Sequence, residues 1–171
     1  MRVRFGAALA LAALTLAACG GAGGNAGEGG IEFREIGSGG VPGQERLTPE
    51  ALVLRSVAEA RDRLEGRVDA QDLESVASLD FGDRALVAVF AGMGNSPAVE
   101  AHVKAVRVRD RALEIEVNVR QQGGPAIEAL VGLYVLVDVA AADVEGIERG
   151  TVEVKTVKGP PVVGQTPNDG Y

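Results

Sequence analysis

Two long apolar stretches decide the fold of this 171-residue chain: Ala85–Ala91 (ALVAVFA) and Leu130–Ala140 (LVGLYVLVDVA). Neither stretch alternates between apolar and polar residues as a half-exposed strand does. Continuous apolar strands are typical of the centre of a sheet that is covered on both faces. We therefore expect both stretches to be central strands. One face would be covered by a helix, and the other by the N-terminal strand region, by curvature of the sheet or by a partner protein.

A β-hairpin is predicted between these two stretches. Its arms are Ala98–Arg109 and Ala112–Arg120, and the turn is Asp110-Arg111. The second arm alternates strictly between apolar and charged or amide side chains.

The first arm of the hairpin changes phase at Ala105. With a regular register, Lys104 and His102 would face the buried side of the sheet. A one-residue β-bulge near Ala105 would instead direct Val103 and Ala101 into the core. We predict this bulge, with Glu100, His102 and Lys104 directed to solvent and His102 near Glu116.

The region before the first apolar stretch has the signals of helices. Thr48-Pro49-Glu50 is a typical helix start, because Thr caps the first turn, Pro fits it and Glu complements the helix dipole. Apolar residues then recur at helical spacing, which predicts an amphipathic helix over Pro49–Leu64. A short second helix is predicted over Asp69–Ala77, and a last strand over Thr151–Lys158. The predicted fold class is α+β, with a single antiparallel sheet of about five strands and one amphipathic helix packed on it.

The N-terminus resembles a bacterial lipoprotein leader. Arg2 and Arg4 precede an uncharged stretch, Phe5–Ala18, which ends directly before Cys19, the only cysteine. The stretch is too short to span a bilayer as a helix but has the length of a secretory core. The resemblance implies cleavage between Ala18 and Cys19, so that 1–18 is the signal peptide and Cys19 carries a lipid. Several acyl chains together hold a protein firmly on a membrane.

The predicted mature chain is acidic and tethered. It keeps 15 Lys+Arg against 24 Asp+Glu, a formal charge of −9, so the lipid rather than charge must hold it to the membrane. Residues 19–43 contain eleven of the 24 glycines, which predicts a flexible tether with a short strand at Ile31–Ile36 and a loop at Gly37–Gly43. The folded domain is expected at 44–158 and a Pro/Gly-rich tail at 159–171. Gly20 after the cysteine favours the outer membrane where the host has one, and the body would face the periplasm or the exterior.

No residue pattern predicts a catalytic or metal site. His102 is the only histidine, and none of the five serines lies in a GxSxG turn that could pair with it. The carboxylate pairs Glu114/Glu116 and Asp143/Glu145 could serve a hydrolase, but solvated strands and loops carry such pairs as well. We expect no cofactor, and the acidic charge argues against nucleic-acid binding. Tyr134 and Asp138 are the expected lining of any ligand pocket on the sheet.

Part of the chain resembles a known family. Leu79-Asp80-Phe81 precedes the first apolar strand, a strand pair and a glycine-containing loop follow, and Gly132–Asp138 (GLYVLVD) comes after them. From Leu73 to Lys158 this order resembles the C-terminal domain of the protease complex subunit PrcB family. Where many members have a Gly-Gly-Tyr turn, this chain has Asn95-Ser96-Pro97-Ala98. The resemblance implies a non-catalytic lipoprotein of the cell envelope that supports assembly of a surface protease complex.

Two other functions compete with this accessory or protein-binding function. In the leading hypothesis an exposed strand edge or loop engages an envelope protein by added β-pairing. The first alternative is a small-ligand-binding lipoprotein with a pocket on the sheet, and the second, less favoured, is a carboxylate-based hydrolase.

Overall fold

The structure, a computed structural model, describes residues 30–42, 48–95, 99–121 and 130–158. In chain order the elements are β1 (Phe33–Pro42), β2 (Glu50–Leu54), α1 (Val57–Leu64), α2 (Ala70–Ala77), β3 (Arg84–Asn95), β4 (Val99–Arg109), β5 (Ala112–Gln121), β6 (Leu130–Ala140), a short 3-10 helix (Ala141–Val144) and β7 (Arg149–Lys158). The fold is therefore mostly β, and the predicted sheet of five strands with one helix is wrong.

The described strands form one mixed sheet in the order β1-β6-β3-β2-β7-β5-β4. Neighbours are antiparallel except β5 and β7, which run parallel. The sheet curls until its two edge strands meet. Two hydrogen bonds join the edges: Ile31 N donates to Val106 O at 2.9 Å, and Val103 N donates to Glu35 Oε1 at 2.6 Å. The result is a nearly closed barrel with a seam between β1 and β4.

Curvature of the sheet explains how the two apolar stretches are covered on both faces. Val87 and Val89 of β3 face the barrel interior, where side chains from all seven strands form one core. Leu86 and Phe90 face outward and pack under the two helices with Leu64. Both stretches are central strands, as predicted, and the curled sheet itself covers their inner face.

The glycine-rich segment Gly37–Pro42, predicted as part of a loop, belongs to β1. It pairs with β6 as far as Pro42. An added Cβ at Gly37 would lie 2.7 Å from the Asp72 carboxyl carbon, and one at Gly39 would lie 2.9 Å from Tyr134 Oη. Glycine is therefore required at these two positions for close packing under α2. The contacts that require it come from residues remote in sequence, so the glycine content of the segment alone predicts a loop.

The predicted helix Pro49–Leu64 is in fact a strand followed by a shorter helix. Ala51 and Val53 point into the barrel and Leu52 and Leu54 point toward the helices, so β2 is buried on both faces. Pairing with β3 and β7 outweighs the local helix signal. The helix α1 begins after Ser56, whose hydroxyl accepts a hydrogen bond from Glu59 N at 3.1 Å.

The second predicted helix, the hairpin turn and the bulge are confirmed. The helix α2 is capped by Asp69, whose carboxylate accepts from Gln71 N at 3.0 Å. The hairpin turns at Asp110 and Arg111, which both have positive φ angles, as a two-residue turn of this kind requires. The register of β4 against β5 shifts between Val103 and Ala105, which is the predicted bulge.

Candidate functional site

Asp138 is a buried carboxylate held by two arginines. Its side chain is 3% exposed and points outward from β6. Arg34 Nη2 of β1 contacts one carboxylate oxygen at 2.7 Å, and Arg84 Nε at the start of β3 contacts the other at 2.5 Å. Asp138 lies between these strands because β6 pairs with both, opposite Arg34 on β1 and opposite Leu86 on β3. The burial of this carboxylate is thus balanced by two charge-assisted hydrogen bonds.

The three side chains line a cleft of about 500 Å³ on the outer face of the barrel. Ile36 and Leu79 supply apolar wall, and the C-terminal end of α2 supplies Ser75 and Ser78. The hydroxyl groups of both serines donate to backbone oxygens, at 3.1 Å and 2.7 Å respectively. Seven of the ten residues that line the cleft are polar or charged, so a cleft of this size suits a polar or charged ligand.

Tyr134, the other predicted lining residue, does not line this cleft. It is 1% exposed and lies under α2, where its hydroxyl donates to Asp72 Oδ2 at 2.7 Å and accepts from Asp69 N at 3.0 Å. Burial and the neighbouring Asp72 carboxylate raise the pKa of Tyr134 above its ordinary value, so the hydroxyl stays protonated. Tyr134 therefore anchors α2 to the sheet and has no surface on which to hold a ligand.

A second charged cluster lies on the outer face of β4, β5 and β7. Lys104 Nζ and Lys155 Nζ contact the same oxygen of Glu116 at 2.9 and 3.0 Å, and Arg107 lies 3.5 Å from the other oxygen. The hydrogen bonds from Lys104 and Lys155 lower the pKa of Glu116 to about 2. The hydrogen bond to Glu116 also raises the pKa of Lys155. Glu116 is thus fully ionised at neutral pH and has no proton to give to a substrate.

The remaining carboxylates of the predicted pairs are occupied or exposed. Glu114 lies 3.8 Å from Arg109, while Asp143 and Glu145 are exposed at the 3-10 helix before β7. No set of three or more His, Cys, Asp and Glu side chains within 30–42, 48–95, 99–121 and 130–158 is grouped to hold a metal ion.

His102 lies at the seam and not near Glu116 as predicted. Its Nδ1 atom is 3.2 Å from Glu35 Oε2 of β1, and its Nε2 atom is 3.8 Å from Glu100. Lys104 takes the position beside Glu116, because the bulge places it outside the register of β5. The exposure predicted for Glu100, His102 and Lys104 is confirmed.

Cys19 and Ala18 lie outside the described residues, as do the predicted signal peptide 1–18, most of the predicted tether and the predicted tail 159–171. Both α-helices of the described chain have eight residues, and no helix within 30–42, 48–95, 99–121 and 130–158 is long and apolar enough to cross a membrane.

Arg34 and Arg84 were missed by the sequence analysis. The available signal was Asp138 itself, an acid within an otherwise apolar strand, which calls for cationic partners when it is buried. Which arginines would supply them depends on strand pairing. Comparison of the chain with protein-family models, with curated proteins and with solved structures gave no match.

Proposed function

We propose that this protein is a membrane-anchored, non-enzymatic lipoprotein of the cell envelope whose body binds a partner protein as an accessory or assembly subunit. The observation that carries the proposal is the lipoprotein-like junction Ala18-Cys19, followed by a glycine-rich tether and then by a folded barrel. A lipid at Cys19 would confine the body to the membrane surface and raise its effective concentration near an envelope partner. The PrcB resemblance supports the same class of function.

Within the body, the cleft at Asp138 is a better candidate for partner binding than an added β-strand. The two edge strands face each other across the seam, where the Ile31–Val106 hydrogen bond and the Glu35 carboxylate already use backbone groups. The cleft, in contrast, has arginine side chains that reach solvent. The proposed mode of binding therefore changes from β-pairing to side-chain recognition.

The anchor is tested by the mass of the native protein and by a Cys19→Ser variant. We expect native material to begin at Cys19 with a diacylglyceryl adduct, and the serine variant to lack it and leave the membrane fraction. Crosslinking in membranes, followed by purification in detergent, should recover a partner with the wild type and much less with Cys19→Ser. An unmodified thiol, an intact leader or a lone monomer after crosslinking would contradict the proposal.

A second candidate function is a small-ligand-binding lipoprotein that uses the same cleft. The observation that favours it is the volume of about 500 Å³, which is within the range of small-molecule sites. Native mass spectrometry of the purified protein separates the two candidates. A small molecule retained by the wild type and lost from an Asp138→Asn variant would favour this second function.

A further inference from the structure

We infer that the cleft at Asp138 is a carboxylate-binding site that takes an acidic segment of a partner protein through Arg34 and Arg84. The inference rests on the proposed function, because it names the chemistry by which the body would recognise its partner.

Most N–H donors of the two guanidinium groups have no partner among the residues that the structure describes. Each has five N–H donors, and within the described part of the chain each gives one hydrogen bond, to Asp138. The side chain of Arg34 is 56% exposed and that of Arg84 is 36% exposed, so both side chains are accessible to a ligand from solvent. Guanidinium groups bind carboxylates in a bidentate geometry that a lysine cannot reproduce.

Asp138 acts as a positioning residue in this site. Because one carboxylate binds both arginines, it holds two long side chains on one wall of the cleft. Arginine side chains lose considerable rotamer entropy when they are fixed. A pair already held in place loses less on binding a ligand.

The charges around the cleft favour direct contact over long-range attraction. Glu32 and Asp80 also line it, so the two arginines and the three carboxylates together have a charge of −1. Such a site does not gather anions in general and depends on short hydrogen bonds with a carboxylate that reaches the guanidinium groups. Ile36 and Leu79 add apolar wall beside those groups, which suits the side chains next to an acid in a peptide.

The test uses the full mature chain in detergent micelles and N-acetyl-Leu-Glu-Leu-Glu-Leu-amide as the probe, with the matching glutamine peptide as its control. Side-chain Nε–H signals of the arginines are followed by NMR during the titration. We expect those of Arg34 and Arg84 to shift with the acidic peptide. The affinity for the glutamine peptide should be lower by a factor of about ten or more, because charge-assisted hydrogen bonds are lost.

Arg34→Lys keeps a positive charge beside Asp138 and Arg107→Lys keeps one beside Glu116, so both variants should preserve the fold, which circular dichroism checks. Arg34→Lys should weaken binding of the acidic peptide about tenfold, since it loses the bidentate fork. Arg107→Lys, in the separate cluster at Glu116, should leave the affinity unchanged. Equal binding of both peptides, an equal loss in both variants, or tighter binding of inorganic phosphate than of the peptide would overturn the inference.

Crosslinking distinguishes this inference from the proposed function. If the wild type crosslinks a partner and an Arg34→Lys/Arg84→Lys variant crosslinks it equally well, the site is wrong and the function stands. If the wild type crosslinks no partner, and the acidic peptide nevertheless binds in an arginine-dependent manner, the site stands and the function is wrong.

Discussion

The hydroxyl group of Tyr134 donates a hydrogen bond to the carboxylate of Asp72 at 2.7 Å, directly over the backbone of Gly39. This contact joins β6, α2 and β1 at one point. The same hydroxyl accepts a hydrogen bond from Asp69 N, at the N-terminal cap of α2. A single buried phenol therefore determines where the second helix begins and how closely it approaches the first strand.

Tyr134→Phe should destabilise the protein by about 1–3 kcal/mol, because Asp72 and the backbone of Asp69 each lose a hydrogen-bonding partner. Urea unfolding followed by circular dichroism measures the change. Thr156→Ala, at an exposed position of β7, is the control and should change the free energy of unfolding by less than about 0.5 kcal/mol. A phenylalanine variant as stable as the wild type would show that the hydroxyl is not an anchor.

Gly39→Ala should cost about 1–3 kcal/mol, because the new methyl group would lie 2.9 Å from Tyr134 Oη. In a Tyr134→Phe background the nearest atom is gone, so the two substitutions should cost less together than the sum of their separate effects. Ser38→Ala, an exposed neighbour on β1, is the control for the strand itself. Strict additivity in urea unfolding would contradict the packing argument.

Glu116→Gln should remove part of the pH dependence of stability in acid. The folded pKa of Glu116 is lowered from 4.5 to about 2, so its stabilising effect is complete above the unfolded pKa and is lost as the pH falls from about 4.5 to 2. The free energies of unfolding of the wild type and the variant should therefore differ at pH 7 and converge near pH 2. Glu114→Gln serves as the matched control on the same strand, and a constant difference across this range would contradict the prediction.

Glu35→Ala should open the seam between β1 and β4. Val103 N loses its acceptor, which was a side chain rather than a strand carbonyl. We expect hydrogen exchange at the Val103 amide to become at least about tenfold faster, since the loss of one such bond is worth about 1–2 kcal/mol. Glu153→Ala, at an exposed position of β7 away from the seam, is the control. Unchanged protection at Val103 would mean that the seam closes without Glu35.

How much the sequence could predict differs between local and remote features. The bulge before Ala105, the turn at Asp110 and the cap at Asp69 follow from alternation and from local backbone chemistry, and all three are confirmed. The sequence predicts helix where β2 lies, because the burial of β2 on both faces comes from pairing with β3 and β7 and has no local signal. The parallel placement of β7 beside β5 has no local signal either.

The candidate site shows the same limit. Asp138 could be identified because an acid in an apolar strand is unusual, but Arg34 lies 104 residues away and Arg84 lies 54 residues away. Tyr134 and Asp138 are both polar side chains on one predicted central strand, and residues four apart in a strand lie on the same face. The helix α2 covers Tyr134 and leaves Asp138 at the cleft, and the strand pattern alone does not contain that difference.

The place where the chain enters the barrel has a mechanical consequence. Ile31, whose amide closes the seam, comes directly before β1 and follows the glycine-rich segment that begins at Gly20. In a protein anchored at Cys19, tension on the body would travel along that segment and load the Ile31–Val106 hydrogen bond before any other contact between β1 and β4. The barrel would then yield to force first along this joint.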